Sequence, residues 1–158
     1  MNDESWLFDV FGPRPFPWER EDEGAPGAAG AVSVFDHWLS EKECETIPFV
    51  FDCAASRGQQ REFVRLAAPL RSWLWSMHEQ VGLELIEETD DAVSVRALDR
   101  DQVDGLLDAW LKSQSLVSLG IRRLSTVLLC SYDFTIMVYS AGESGVFDHL
   151  PDDLYRLS

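Results

Sequence analysis

The sequence predicts an α+β fold in which helices pack on one face of a mixed or antiparallel sheet. Residues 124–140 contain two runs rich in β-branched and aromatic residues, which is typical of two strands joined by a turn. Residues 58–80 and 99–112 place apolar side chains at three- and four-residue spacing, which predicts two amphipathic helices. From residue 47 onward, the order of predicted strands and helices favours a ferredoxin-like (split βαβ) fold with an added hairpin strand.

Composition divides the chain into two parts. Residues 1–30 are predicted to be an aromatic N-terminal arm and a flexible acidic linker, and residues 31–158 a single α+β domain. If the arm is extended, Trp6 and Phe8 share one side, and the proline-rich segment that follows favours an extended path. We expect so apolar an arm to pack on the domain or on a partner.

The first half of the domain is predicted to hold a short helix, a strand and a long helix. Ser40 opens a capping-box pattern, so a short helix is expected at 41–45. Residues 47–53, IPFVFDC, are typical of a strand. The long helix is expected at 58–80, where Pro69 predicts either a kink or the start of a second helix.

The second half is predicted to be richer in strands. Two strands are expected at 83–87 and 92–98, followed by a helix that Asp99 caps and that continues to about residue 112. Residues 116–119 are expected to extend this helix or to form an irregular link. Residues 151–153 are expected to begin a short final helix, because proline is favoured in the first turn.

The hairpin creates a conflict within this prediction. Its first run, 125–130, is apolar without alternation, which indicates a strand buried on both faces. Helices on one face only would leave the other face of the sheet open. The N-terminal arm or a partner would therefore have to cover the second face.

Charge and length limit the classes of function. The 158-residue chain carries 28 acidic and 13 basic residues, a net charge of −15, which disfavours nucleic-acid binding and favours a basic partner. No apolar run approaches the roughly 20 residues of a membrane span, so no membrane association is predicted. The three cysteines are expected to be reduced thiols in a cytoplasmic protein.

No motif predicts a metal, a cofactor or a catalytic residue. The three histidines and three cysteines form neither a C-x-x-C nor an H-x-x-x-H pattern. A G-x-S-x-G nucleophile elbow and a phosphate-binding loop are also lacking in the sequence.

The acidic residues are concentrated rather than evenly spread. Residues 83–108 hold nine acids against two arginines, or −7, whereas 56–82 hold four arginines against two glutamates, or +2. One interpretation is a solvated face with helix capping, and the other is a patch that meets a cationic partner. Trp75 falls outside the apolar stripe of its helix, so it is either covered by a neighbouring segment or an interface anchor.

The leading hypothesis is a non-enzymatic acidic protein that binds, and inhibits, a basic partner protein. A small acidic α+β protein resembles in composition the immunity proteins that neutralise bacterial toxins such as nucleases, and this resemblance implies a nuclease-type toxin as partner and a monomer or homodimer. The predicted contact residues are Asp90, Asp91, Asp101, Asp104, Asp108 and Trp75. Two alternatives stay open: an assembly subunit of a phage or secretion apparatus, and a small enzyme with carboxylate or Cys–His chemistry.

Overall fold

The computed structural model describes residues 4–11, 29–49, 51–89, 92–113, 116–131 and 133–158. The helices in these residues are α1 (Trp6–Phe11), α2 (Glu41–Cys44), α3 (Phe51–Ser56), α4 (Gln60–Val81) and α5 (Arg100–Ser113). The strands are β1 (Gly30–Ser33), β2 (Glu84–Thr89), β3 (Ala92–Ala97), β4 (Val117–Ile121), β5 (Thr126–Cys130), β6 (Thr135–Ser140) and β7 (Tyr155–Leu157). Short 3-10 helices occupy Arg122–Leu124 and Gly145–His149.

The seven strands form one antiparallel sheet in the order β3-β2-β4-β5-β6-β1-β7. The predicted α+β class is therefore confirmed. The ferredoxin-like order is not the one observed, because residues 47–53 do not supply its first strand. Instead, β1 lies between β6 and β7, and β4 joins the β2–β3 hairpin to β5.

The apolar segment 47–53 does not form the predicted strand; two of its phenylalanines belong to an aromatic cluster. Phe51 begins α3, and its ring meets Phe63 of α4 edge-on at a centroid distance of 5.5 Å. Phe63 in turn lies 5.4 Å from Phe134, and Phe49 lies 5.7 Å from the same ring. The apolar pattern that suggested a strand thus reflects burial against α4 and the hairpin turn.

The predicted hairpin is confirmed in position. Strands β5 and β6 pair from Thr126 opposite Ser140 to Cys130 opposite Ile136. Every residue of β5 is buried. Leu128 belongs to the main core beneath α4 and α5, while Val127 belongs to a second cluster on the opposite face. The run without alternation is buried on both faces, as predicted.

Helices α4 and α5 form the main layer on the first face. The predicted apolar stripe of α4 is buried; its members are Phe63, Leu66, Leu70, Trp73, Leu74 and Met77. Pro69 lies inside this single helix. Helix α5 begins as predicted: Gln102 N–H donates to Asp99 Oδ1 at 2.9 Å, and Asp99 N–H donates to Gln102 Oε1 at 3.0 Å.

Helix α1 covers part of the second face. Trp6, Leu7, Val10 and Phe11 are buried, whereas Phe8 is 54% exposed. An extended conformation with Trp6 and Phe8 on one side is therefore wrong for these residues, because their burial follows helical spacing. The proline-rich segment and the predicted linker lie outside the described residues.

Two further local predictions are wrong, and both errors concern strands. Residues 116–119 were expected to extend a helix or form a link, but β4 (Val117–Ile121) pairs with β2 and β5. After Pro151 the chain turns, with Leu154 N–H donating to the Pro151 carbonyl, and enters β7 instead of a helix. In both cases hydrogen bonds to distant strands decide the conformation.

Candidate partner-binding surfaces

The predicted contact residues fall into two groups. Asp101, Asp104 and Asp108 are exposed on α5, and Trp75 is half-buried on the neighbouring α4. The structure thus brings the aromatic residue and three aspartates to one pair of helices. Asp90 and Asp91 lie outside the described residues.

Two of these aspartates are ion-paired within the chain. Arg71 of α4 donates from Nη2 to Asp104 Oδ1 at 2.7 Å and from Nη1 to Asp108 Oδ1. The arginine sits between carboxylates one helical turn apart, so it relieves their mutual repulsion. One guanidinium offsets only one of the two carboxylate charges, so the group of Arg71, Asp104 and Asp108 keeps a net charge of −1.

Two cationic side chains of α5 also lie close to aromatic rings. The Arg100 guanidinium lies 5.6 Å from the Trp75 ring centroid, and the Trp75 and His78 ring centroids are 5.8 Å apart. The Lys112 ammonium lies 5.6 Å above the Phe51 ring. Because cations lie among the aspartates, the α4–α5 surface is mixed in charge rather than acidic.

A different acidic surface lies where β2 extends beyond β4. These strands pair from Glu84 opposite Gly120 to Ile86 opposite Ser118, and the rest of β2 pairs with β3 alone. The sheet opens there into a cleft of about 430 Å³. We call it the acidic cleft; its lining residues are Leu85, Ile86, Glu87, Glu88, Leu106, Leu116, Val117, Ser118 and Leu129.

The acidic cleft combines apolar and acidic side chains. Leu106 comes from α5, and Leu116, which precedes β4, is 54% exposed. Glu87 and Glu88 are exposed and point to opposite sides of β2, because side chains alternate along a strand. Glu87 has no ion-pair partner among the described residues. In sequence, two more acids follow at 90 and 91, after Thr89.

Sequence patterns identified only part of this cleft. The two glutamates belonged to the acidic cluster, but the apolar lining was indistinguishable from ordinary core positions. An informative sign was Leu116, an apolar residue a few positions after the predicted helix end at about residue 112. Its exposure depends on the position of β4 beside β2.

A histidine that contacts two carboxylates, His37, lies near α2. His37 Nδ1 is 2.6 Å from Asp36 Oδ1, and Nε2 is 2.7 Å from Glu43 Oε1. Hydrogen bonds to Asp36 and Glu43 raise the pKa of His37 above its usual value of 6.5. The Ser40 backbone N–H, the Ser40 hydroxyl and His37 lower the pKa of Glu43 to about 2. The arrangement holds the cap of α2.

Other features of chemical interest are sparse in the described residues. No group of three or more His, Cys, Asp or Glu side chains there is placed to hold a metal ion. His78 Nδ1 accepts a hydrogen bond from Leu83 N–H at 3.3 Å, which links the end of α4 to β2. None of the described helices combines the length and apolar character needed to span a bilayer.

Comparison with known proteins gives no relative. No protein-family model, no curated protein and no solved structure matches this chain. The functional proposal therefore rests on the geometry and charge described above.

Proposed function

We propose that this protein binds a basic partner protein and that the acidic cleft receives an arginine or lysine side chain of that partner. The observation that carries the proposal is the exposed carboxylate of Glu87, which has no ion-pair partner among the described residues, beside the apolar lining of a cleft of about 430 Å³. The net charge of −15 adds a long-range attraction for a cationic protein.

The cleft matches the two parts of such a side chain. The aliphatic stem of arginine or lysine packs favourably on leucine, while its charged head remains near carboxylates and water. Leu106 and Leu116 provide the apolar contact, and Glu87 provides a carboxylate at the rim. A guanidinium would gain most, because it forms two parallel hydrogen bonds with one carboxylate.

The proposed biological consequence of this binding is inhibition of a basic enzyme. An acidic protein that covers the phosphate-binding surface of a nuclease-type toxin blocks its substrate and associates rapidly. On this proposal the protein acts in a bacterial cytoplasm as an immunity-type inhibitor, as a monomer or homodimer. The proposal assigns the first contact to the acidic cleft rather than to the α4–α5 surface.

Charge reversal at the cleft tests this proposal. The probe is a set of fluorescein-labelled peptides with a central Arg-Leu-Arg, and fluorescence polarisation measures the dissociation constant. Glu87→Lys is expected to weaken binding by about tenfold, which corresponds to about 1.4 kcal/mol. The matched control is Glu79→Lys, which makes the same charge change at an exposed position of α4 and is expected to change binding less than about twofold.

Two results would contradict the cleft as the binding site. Equal weakening by Glu87→Lys and Glu79→Lys would show that only the total charge matters. Binding that is insensitive to both substitutions would remove the electrostatic basis altogether. Independently, a photo-cross-linking residue at Leu116 captures the partner that binds at the cleft, and capture of a protein that is not basic would contradict the proposal.

The assembly alternative depends on the N-terminal arm reaching another copy. Trp6 and Phe11 are buried against the chain's own sheet, and only Phe8 of α1 projects an aromatic ring outward. No described surface favours this alternative. In light scattering, an assembly larger than a dimer that is lost when residues 1–23 are deleted would support it.

A further inference from the structure

Two of the three cysteines share one surface cleft. Cys44 at the end of α2 and Cys53 in α3 are exposed and line the same cleft of about 250 Å³. Ile47, Pro48 and Phe49 of the connecting segment also line it. Exposed thiols that face a common cleft can react with each other as well as with a reagent.

The two helices differ in how firmly they are held. Helix α2 has no buried residue and depends on its capping box, whereas α3 buries Ala54 and packs Phe51 against Phe63. A disulfide requires the two Cα atoms to lie within about 7 Å. Because α2 has no buried residue, a shift of Cys44 towards Cys53 exposes little apolar surface.

We propose that Cys44 and Cys53 form an oxidisable dithiol site whose reagent is a hydroperoxide. One thiol is oxidised by the peroxide to a sulfenic acid, and the peroxide is reduced to water or an alcohol. The second thiol attacks the sulfenic sulfur, the S–S bond forms and a second water leaves. Two hydrogens are lost from the protein, and α2 becomes covalently tied to α3.

The third cysteine provides an internal reference. Cys130 is fully buried in β5, and burial strongly raises the pKa of its thiol. A buried thiol in apolar surroundings is inert towards peroxide. It is therefore expected to stay reduced while the surface pair reacts.

Peroxide treatment of the reduced full chain tests the dithiol site. The number of free thiols is expected to fall from three to one in a monomer whose mass is lower by about 2 Da. Peptide mapping is expected to find a Cys44–Cys53 cross-link that dithiothreitol reverses. In Cys44→Ser and in Cys53→Ser, the remaining surface thiol is expected to gain oxygen or to link two chains.

The proposal is overturned if the wild-type chain gives disulfide-linked dimers or oxygen adducts without the intramolecular cross-link. It is also overturned if Cys130 is consumed together with the surface thiols. The readouts are mass and thiol count, so they are independent of whether the acidic cleft binds a basic partner.

Discussion

His37 shows how neighbouring carboxylates set the charge of a surface side chain. Asp36 and Glu43 hold its two ring nitrogens, so the imidazolium is favoured over the neutral ring. A folded-state pKa above 6.5 means that protonation favours folding. This contribution is complete below pH 6.5 and is lost as the pH rises through the folded pKa.

An NMR titration of the full chain is expected to place the pKa of His37 above 6.5. Asp36→Asn should move that pKa back towards 6.5, because it removes the charged acceptor at Nδ1. Asp153→Asn, at an exposed acid near β7, serves as the matched control and should leave it unchanged. Identical titrations of His37 in the wild-type chain and in Asp36→Asn would show that the carboxylate has no such influence.

A second contact at the scale of single residues joins α1 to the sheet. A Cβ atom added to Gly120 would lie 2.8 Å from Trp6 Cζ2, so the indole packs directly on the backbone of β4. We expect Gly120→Ala to destabilise the protein by about 1–3 kcal/mol, because the ring must shift. Chemical denaturation measures the effect, and Trp6→Leu in the same chain should recover part of it.

The control for this prediction is another glycine. Gly105 lies within α5, and an added Cβ atom would meet nothing within 4 Å. Gly105→Ala is expected to stabilise the protein by about 0.5–1 kcal/mol through helix propensity. If both substitutions stabilised the chain, close contact between Trp6 and Gly120 would be refuted.

At the scale of elements, Arg71 joins α4 to α5. Its guanidinium contacts carboxylates of two successive turns of α5, and the arginine side chain is one-third exposed. The helices also meet through their buried stripes, so the ion pairs supplement apolar packing. Their main effect is to reduce the repulsion between two aspartates that share one guanidinium.

Removal of this arginine tests the energetic value of the contact. Arg71→Met is expected to lower the free energy of unfolding by about 0.5–1 kcal/mol at low salt, and less at high salt, because exposed ion pairs are screened. Arg61→Met, at an exposed arginine of α4 with no ion-pair partner among the described residues, should have a smaller effect. Urea denaturation at two salt concentrations measures both, and a loss that does not depend on salt would contradict the electrostatic explanation.

At the scale of the whole molecule, the sheet separates two cores of unequal size. The larger core lies between the sheet and α3, α4 and α5, and the smaller lies beneath α1. The acidic cleft opens where the pairing of β2 with β4 stops while β2 continues. Its position therefore depends on how far these two strands pair and not on any local motif.

Charge is likewise a property of the whole chain. The net charge of −15 is known from composition, but the structure decides which carboxylates are compensated. Arg71 is shared by Asp104 and Asp108 and offsets one of their two charges, and Arg122 donates to Glu84 at 3.0 Å. The uncompensated Glu87 at the rim of the cleft is the better candidate for contact with a cationic partner.

Features that depend on near neighbours could be predicted from the sequence alone. They are the capping box at Ser40, the helix start at Asp99, the apolar stripe of α4 and the two-sided burial of β5. Each rests on residues a few positions apart, since hydrogen bonds and apolar spacing within one segment suffice to specify it.

Contacts between distant segments could be identified only in the folded chain. Strand β4, the packing of α1 on Gly120, the pairing of Arg71 with two aspartates of α5 and the lining of the acidic cleft belong to this group. An apolar or charged residue has many potential partners along the chain. Which partner it meets depends on the sheet order, because hydrogen bonds between strands and burial against other elements outweigh local preference.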